Sequence, residues 1–315
     1  MMKALITGAC GQVGSHVAEL LLARGDKVLG IDNLETGRAE HLPAQDNLEL
    51  VMGSIADTAL VADAMARFQP DVIVHTAASY KDPEDYISDA ATNVVGMANL
   101  VQSAKQHGVK RFIYFQTALC YGVKPLQQPI TLDHPMFPAN SSYAISKTAA
   151  EDYLSISGLD YVSFRLANVV GPRNTSGPLP IFFQRLSEGK KCFVTPARRD
   201  FVFVGDLAAN VVKACDGTGS GAYHFSSGTD IAIKELYDAV VGAMGLNAYP
   251  EPDMRELSPD DAPSILLDPS RTFADFGNIP FTPLAKTVEA AVAYYRKFGV
   301  VGGYTHLKHD SKKAS

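Results

Sequence analysis

KALITGACGQVGSHVAELLLARGDKVLGID (residues 3–32) decides how the chain folds. Its first five residues, KALIT (3–7), are a short apolar run ending at a glycine, the pattern of a buried strand. VGSHVAELLLARG (13–25) then spaces Val13, Val17, Leu20 and Leu21 onto one helical face, with Gly25 at the stop. KVLGID (27–32) is a second apolar run closed by an acid. Between strand and helix lies Thr7-Gly8-Ala9-Cys10-Gly11-Gln12-Val13-Gly14. Glycines at 8, 11 and 14 let the backbone turn tightly, approach a ligand closely and pack the helix on the strand. The helix start adds unpaired N–H groups and the positive end of a dipole, which makes the turn a cradle for a pyrophosphate. Gly8, Cys10, Gly11, Gln12, Val13 and Gly14 are its expected contacts.

The same rhythm continues outward. LELVMGS (48–54), DVIVHTA (71–77), RFIYFQT (111–117) and YVSFRLAN (161–168) are near-continuously apolar, as strands of a parallel sheet covered on both faces must be. Alternation with helical stretches predicts an α/β fold: a Rossmann-type doubly wound parallel sheet with a smaller C-terminal substrate-binding lobe. Residues 1–170 are the expected dinucleotide-binding domain, with returns to the sheet around 200–225 where RDFVFVGDLAANVVKAC (199–215) feeds a strand into a helix. Residues 171–301, rich in Gly-Pro turns and short helices such as IFFQRLSEGK (181–190), are mainly the substrate lobe. The polar, glycine-led 302–315 is an expected mobile tail.

Composition narrows the function. A formal charge of -6 argues against a nucleic-acid partner, because neutralising a polymer's phosphates needs clustered Lys and Arg. Arg198-Arg199 suits a single phosphate group instead. No apolar run reaches the roughly 18 residues of a membrane span, so no membrane partner is expected. The N-terminus does not have the pattern of an export signal. Four scattered cysteines (10, 120, 192, 215) without a CxxC pair fit buried thiols in a reducing cytoplasm, and no metal site is expected.

Asp32 closes the second strand 18 residues past Gly14. A dinucleotide fingerprint expects an acid about 20 residues on, accepting hydrogen bonds from the adenosine ribose hydroxyls. A carboxylate there repels a 2′-phosphate, and the next residues, Asn33 and Leu34, bring no arginine. The cofactor expected is therefore NAD rather than NADP, with Asn33 beside the ribose and Ser54 and Ile55 lining the adenine pocket.

Tyr143-Ala-Ile-Ser-Lys147 carries the chemistry. Spacing of i to i+4 puts phenol and ammonium one turn apart on one helical face. A free tyrosine, with a pKa of about 10, is a poor base at neutral pH; a neighbouring lysine and an oxidised nicotinamide are expected to lower it. Thr117 ends an apolar strand about 25 residues earlier, and its hydroxyl is expected to share the substrate oxygen with Tyr143. A surface pair and a plain strand end are the alternative readings of these residues.

With these pieces in order, the chain resembles the extended short-chain dehydrogenases/reductases, and within them the nucleotide-sugar epimerases and dehydratases. TGACGQVG, Asp32, HTAA (75–78), TNVVGMANLV (92–101), Thr117 with Tyr121-Gly122, YAISK, RLANVVGPRN (165–174) and RDFVFVGDLA (199–208) carry the likeness over roughly residues 3–300. The resemblance implies retained NAD, a UDP- or dTDP-sugar substrate, and oxidation at sugar C4 by Tyr143, Lys147 and Thr117. It adds Thr76, Ala77 and Ala78 to the cofactor contacts. Asn93 is implied to border the active site and help hold Lys147, with a helix cap as its alternative. Asn168, Arg199 and Arg271 are implied contacts of the sugar diphosphate, although a loop arginine is also simply solvated. Ser141, Ser142, Tyr80 and Lys81 are implied to face the sugar. Two helices per subunit, around 92–107 and 143–156, are implied to build a homodimer.

One departure selects the reaction. Dehydratases of that family typically carry Asp-Glu directly after the threonine, because removing water needs a further general acid or base. Here the positions hold Ala118 and Leu119, which transfer no protons. The expected activity is an NAD-dependent nucleotide-sugar 4-epimerase, with a uronic or N-acetylated sugar suggested by Lys81. A dehydratase or 4-keto reductase of the same family, and an NAD(P)-sensing regulatory protein without catalysis, are the alternatives.

Overall fold

The computed structural model describes residues 1–139, 141–258 and 261–300. The expected tail, 302–315, lies outside the described residues. The first half runs β1 (Lys3–Thr7), α1 (Gln12–Ala23), β2 (Lys27–Asp32), β3 (Leu48–Met52), α2 (Thr58–Phe68), β4 (Val72–His75), α3 (Tyr86–Asp89), a π-helical segment (Ala90–Val95), α4 (Gly96–His107), β5 (Arg111–Thr117), α5 (Ser142–Ser155) and β6 (Tyr161–Leu166). The second half follows with β7 (Asn168–Val170), α6 (Pro178–Ser187), β8 (Phe193–Val194), β9 (Arg198–Arg199), β10 (Phe201–Phe203), α7 (Val204–Cys215) and β11 (Gly221–Phe225). It ends with β12 (Ile231–Ala232), α8 (Ile233–Met244), β13 (Asp253–Met254), β14 (Ser264–Ile265), α9 (Ser270–Phe276) and α10 (Leu284–Phe298).

Among the described residues, seven strands form one parallel sheet in the order β11-β6-β5-β4-β1-β2-β3. The order reverses between β1 and β4, the switch point where such sheets open a crevice at their carboxyl ends. Alternation along each strand divides the core. Ala4 and Ile6 point to one face, under α1 and α7 with Val17, Leu21, Leu207 and Val211. Leu5 points to the other, with Met65, Leu100, Phe112, Tyr114 and Leu154 under α2, α4 and α5. Each fully buried side chain of this size contributes roughly 1.5–3 kcal/mol by leaving water. A third core, with Leu179, Phe182, Leu236, Tyr237, Val240, Val288 and Tyr295, packs α6, α8 and α10 into the smaller lobe.

The run expected to continue as a strand to 168 ends at Leu166. The Ala167 amide still bonds the Phe225 carbonyl, but the Asn168 amide turns to the Asp200 carbonyl, so 168–170 leaves the main sheet and pairs with β10. This break swings Asn168 into the space above the sheet, where the two lobes meet.

Candidate active site

A cleft of about 1390 Å³ runs along the carboxyl ends of the strands, between the sheet and the smaller lobe. One end is built by the glycine turn. Gly8 takes a left-handed backbone (φ +67), and a Cβ there would sit 2.7 Å from the Ala77 nitrogen. A Cβ on Gly14 would sit 2.3 Å from the Gly8 carbonyl oxygen, so the helix lies on the turn only because no side chain intervenes. Gly11 caps α1 without a side-chain bond, which leaves the first-turn amides to a ligand. Gln12 lines the cleft, and its Nε2 is buried without a hydrogen-bond partner among the described residues. An orphaned donor at a helix N-terminus is what an anionic diphosphate satisfies, so the residues present fit a dinucleotide.

Asp32, at the tip of β2, accepts the Cys10 amide at 2.8 Å through Oδ2 and the Leu34 amide at 2.8 Å through Oδ1. Both bonds fix the carboxylate in the cleft wall beside Asn33. Ser54 and Ile55 line the wall after β3, and Asn99 donates to the Ile55 carbonyl at 2.9 Å. Thr76, Ala77 and Ala78 form the floor after β4, where the Thr76 hydroxyl donates to the Thr7 carbonyl at 2.7 Å. Cys10 and Gly14 do not line the cleft: Cys10 is fully buried and acts through its amide, and Gly14 acts as a spacer.

The catalytic candidates converge on the other side of the same floor. Ser141 caps α5 by accepting the Ala144 amide at 3.0 Å, which points Tyr143 and Ser142 into the cleft at the first turn. Lys147 follows one turn later, also lining the cleft but only 3% exposed, with Nζ 4.2 Å from the Tyr114 ring centre. Thr117 reaches the same wall from β5, followed by Ala118 and Leu119. Tyr80 stands over Tyr143 with ring centres 6.0 Å apart, next to Lys81 in the cleft wall.

Lysine and an oxidised nicotinamide together are expected to pull the phenol's pKa down; the protein's own groups act the other way, burial pushing Tyr143 well above the ordinary tyrosine value with Tyr80 and Asp89 pushing in the same direction. Burial also pushes Lys147 down to about 7, opposed by the carboxylate of Glu151. Spacing placed both groups on one face, and that face looks into the cleft, with Tyr143 half-buried in its wall and Lys147 buried beneath it.

Other expected residues fall in different places. Asn93, 1% exposed, donates to the Ser79 carbonyl at 3.0 Å and the Ser146 hydroxyl at 2.9 Å. It ties the loop after β4 to the residue beside Lys147 and makes no bond to Lys147 among those described. Asn168 lines the cleft and donates to the Asp200 carbonyl at 3.2 Å. Arg199 lines it too, paired with Asp261. Arg271 does not reach the cleft. Its guanidinium donates to the carbonyls of Ala222 and Ser220 and stacks 4.5 Å from the Tyr223 ring centre. Those residues start β11, at the end of the parallel sheet opposite the cleft, so a phosphate role for Arg271 is ruled out.

Sequence reading missed Asn174, which lines the cleft with its Oδ1 buried and unpartnered among the described residues. It also missed a buried polar cluster behind α5: Glu151 accepts bidentately from Arg165 and from Ser163 at 2.5 Å. An arginine inside an apolar strand, YVSFRLAN, was the available signal for a buried partner.

The family model described as the NAD dependent epimerase/dehydratase family matches residues 4–224. A UDP-glucose 4-epimerase of Mycolicibacterium smegmatis is 34% identical, over 94% of this chain and 99% of that protein. The solved structure of the Bordetella bronchiseptica enzyme WbmH in complex with NAD+ is 72% identical, with a TM-score of 0.94, over 95% of this chain and 100% of that one. The Bordetella bronchiseptica enzyme WbmG, solved with NAD and UDP, is 42% identical with a TM-score of 0.89, over 98% of this chain and 99% of that one.

Proposed function

This chain belongs to the NAD-dependent epimerase/dehydratase family, and from that premise we propose that it is a nucleotide-sugar 4-epimerase acting on a UDP- or dTDP-linked sugar through a transient 4-keto form. The observation that carries this reading is the wall beyond Thr117. Tyr143, Lys147 and Thr117 line one cleft, and the two positions after Thr117 that face it are Ala118 and Leu119. A proton can be moved at the sugar's O4, while those two side chains offer none at the neighbouring carbons. A dehydratase would have to draw its acid from another carboxyl of the wall, such as Asp82, Glu188 or Glu256, none of which directly follows Thr117 in the chain.

NAD would be held by the glycine turn and Asp32, and would supply a reversible hydride acceptor and, when oxidised, a positive charge. The chain's own residues do the rest. Tyr143 removes the O4 proton and later returns it. The Lys147 ammonium favours the phenolate, working against the burial that holds the proton on the phenol. Thr117 orients O4 with its hydroxyl hydrogen. The 4-keto sugar turns within the cleft between the two transfers, so the hydroxyl returns on the opposite face. Asn168 and Arg199 would hold the diphosphate, Arg199 exchanging Asp261 for a phosphate oxygen as a bidentate partner.

Lys81, Tyr80 and Ser142 in the cleft wall support a uronic or N-acetylated sugar, since an ammonium pairs with a carboxylate and a hydroxyl with an amide. A homodimer through residues 92–107 and 143–156 is supported by Ile145, Tyr153 and Ile156, each 47–79% exposed along α5 and its C-terminal end. Four cysteines, each free and buried, support a reducing cytoplasmic setting. No helix among the described residues is long and apolar enough to cross a membrane. The test is incubation with a panel of neutral, N-acetylated and uronic UDP- and dTDP-sugars, followed by NMR of the products. Inversion at C4 with all oxygens kept is the expected result; a 4-keto-6-deoxy product overturns the epimerase reading.

A further inference from the structure

Behind the catalytic helix lies a run of buried polar groups that the epimerase chemistry does not use. Glu151 stands one turn past Lys147 on the inner face of α5 and is 4% exposed. Its carboxylate is gripped from β6 by Arg165, through Nη2 at 3.0 Å, and by the Ser163 hydroxyl at 2.5 Å. From β5, Gln116 Nε2 donates to the Lys147 carbonyl at 3.0 Å and reaches Glu151 Oε2 at 3.4 Å. The Tyr114 hydroxyl donates to that same carbonyl at 3.0 Å while its ring carries the Lys147 ammonium. Arg165 continues the chain, donating to the Tyr121 hydroxyl at 2.6 Å, which contacts His224 Nε2 at 2.6 Å.

We propose that Glu151, clamped by Arg165 and Ser163, is a positioning residue for Lys147 that compensates the ammonium's charge from beneath the cleft floor. The proposal rests on the epimerase reading for its meaning in catalysis, but its physical content is independent of turnover. A buried lysine sheds its proton unless a carboxylate compensates it. Burial already brings Lys147 down to about 7, and Glu151 is the charge that opposes this. The other groups facing Lys147 do not help. His75 on β4 is kept neutral by burial, and any charge on it would repel the ammonium. Tyr114 on β5 and Tyr143 on α5 are both pushed up by burial, so neither supplies a resting negative charge before substrate and cofactor bind. Around Glu151, Cys120 and Tyr121 after β5 are likewise held protonated by burial, as is Tyr161 at the start of β6. Asp152, on the same helix, is raised by burial and by Glu151 itself. A positive partner for Glu151 is Arg165, whose guanidinium is fixed by the same contacts.

The experiment titrates Lys147 directly in NAD-loaded protein carrying [ε-13C]lysine, its resonance assigned by loss in Lys147→Arg. Glu151→Gln keeps the shape and one accepting oxygen, with Ser163 able to turn and accept from the new amide, but removes the charge. The proton affinity of Lys147 is expected to fall about tenfold or more, moving its midpoint down by about one pH unit. The high-pH limb of turnover is expected to move down with it, with KM unchanged, and Glu151→Asp is expected to restore part of both. An unmoved Lys147 midpoint in folded Glu151→Gln overturns the proposal. Where that variant gives no cooperative melt because Arg165 is left unpaired, Glu151→Met with Arg165→Met removes both charges at similar volume, and a smaller fall of the same sign is expected, since the opposing guanidinium goes with the carboxylate. Failure of the double variant to fold as well assigns the pair to folding and overturns positioning. A wild type that turns over no nucleotide sugar refutes the epimerase reading, while the lysine titration still decides this one.

Discussion

Thr117 Oγ1 accepts a hydrogen bond from the Leu119 amide at 3.2 Å. The bond caps the short 3₁₀ turn of Ala118–Tyr121 and occupies an acceptor site of the hydroxyl, leaving its hydrogen to be donated into the cleft. Thr117→Val, equal in shape but without that hydrogen, is expected to lower kcat roughly 10- to 100-fold, and Thr117→Ser to keep most of it. Steady-state kinetics on the two variants check this; equal losses in both would point to packing of the methyl group instead.

Tyr143→Phe removes the proton carrier while leaving the ring that packs against Tyr80. Turnover is expected to fall about 10²- to 10⁴-fold, the usual contribution of a positioned acid–base group. NAD content, read by absorbance after denaturation, is expected to match wild type. Wild-type rates in this variant would end the assignment.

Gly14→Ala tests the cradle. Its Cβ would meet the Gly8 carbonyl oxygen at 2.3 Å and Thr76 Oγ1 at 2.8 Å, both part of the cofactor floor. Overpacking of this kind costs about 1–3 kcal/mol. The variant is expected to melt several degrees lower and to bind NAD at least about tenfold more weakly, measured by calorimetry. Gly25→Ala makes a control, since nothing lies within 4 Å of its added Cβ, although its φ of +88 adds local strain.

Acid is expected to destabilise the fold through His224. Burial lowers its pKa from 6.5 to about 4, with the neighbouring Arg165 adding to the effect and the Asp268 carbonyl opposing it. Between those pH values the unfolded chain binds the proton and the folded chain does not. Its stabilising contribution is therefore full above pH 6.5 and lost as pH falls toward 4, by about 3 kcal/mol at most. Denaturant melts at pH 7 and pH 4.5 measure this, and His224→Gln is expected to flatten the difference.

Self-association is expected to fail when charge is placed on the apolar side of α5. Ile145→Glu with Ile156→Glu changes two side chains that are 49% and 79% exposed, so a monomer would lose little by it. Light scattering after size exclusion is expected to show the mass halved and the melt nearly unchanged. A wild type already at monomer mass rejects the dimer.

Much of this was written in local pattern. The glycine turn, Asp32 and the strand ending at Thr117 are short-range features, and each lies where its spacing placed it in the cleft wall or floor. The rest depends on distant partners. Arg271 has the sequence surroundings of a loop arginine, and only the position of Ala222 and Ser220, about 50 residues away in the chain, sets it at the wrong end of the sheet. The Tyr143–Lys147 spacing is local, but the groups that push the phenol's pKa up beside burial, Tyr80 and Asp89, stand more than 50 residues earlier in the chain. Asn168 departs from the sheet because Asp200 offers its carbonyl, a partner no window around residue 168 contains.

The outermost strand of the main sheet beside β6 is β11, contributed by residues 221–225, and α7 lies on α1 from the same late part of the chain. The nucleotide-binding half is therefore not a detachable cassette. A gene truncated after residue 170 would encode a β6 with a bare edge and an uncovered apolar face, the template on which strands of other molecules add. Such a fragment would precipitate, and recombination between relatives would have to exchange the whole chain rather than its first half.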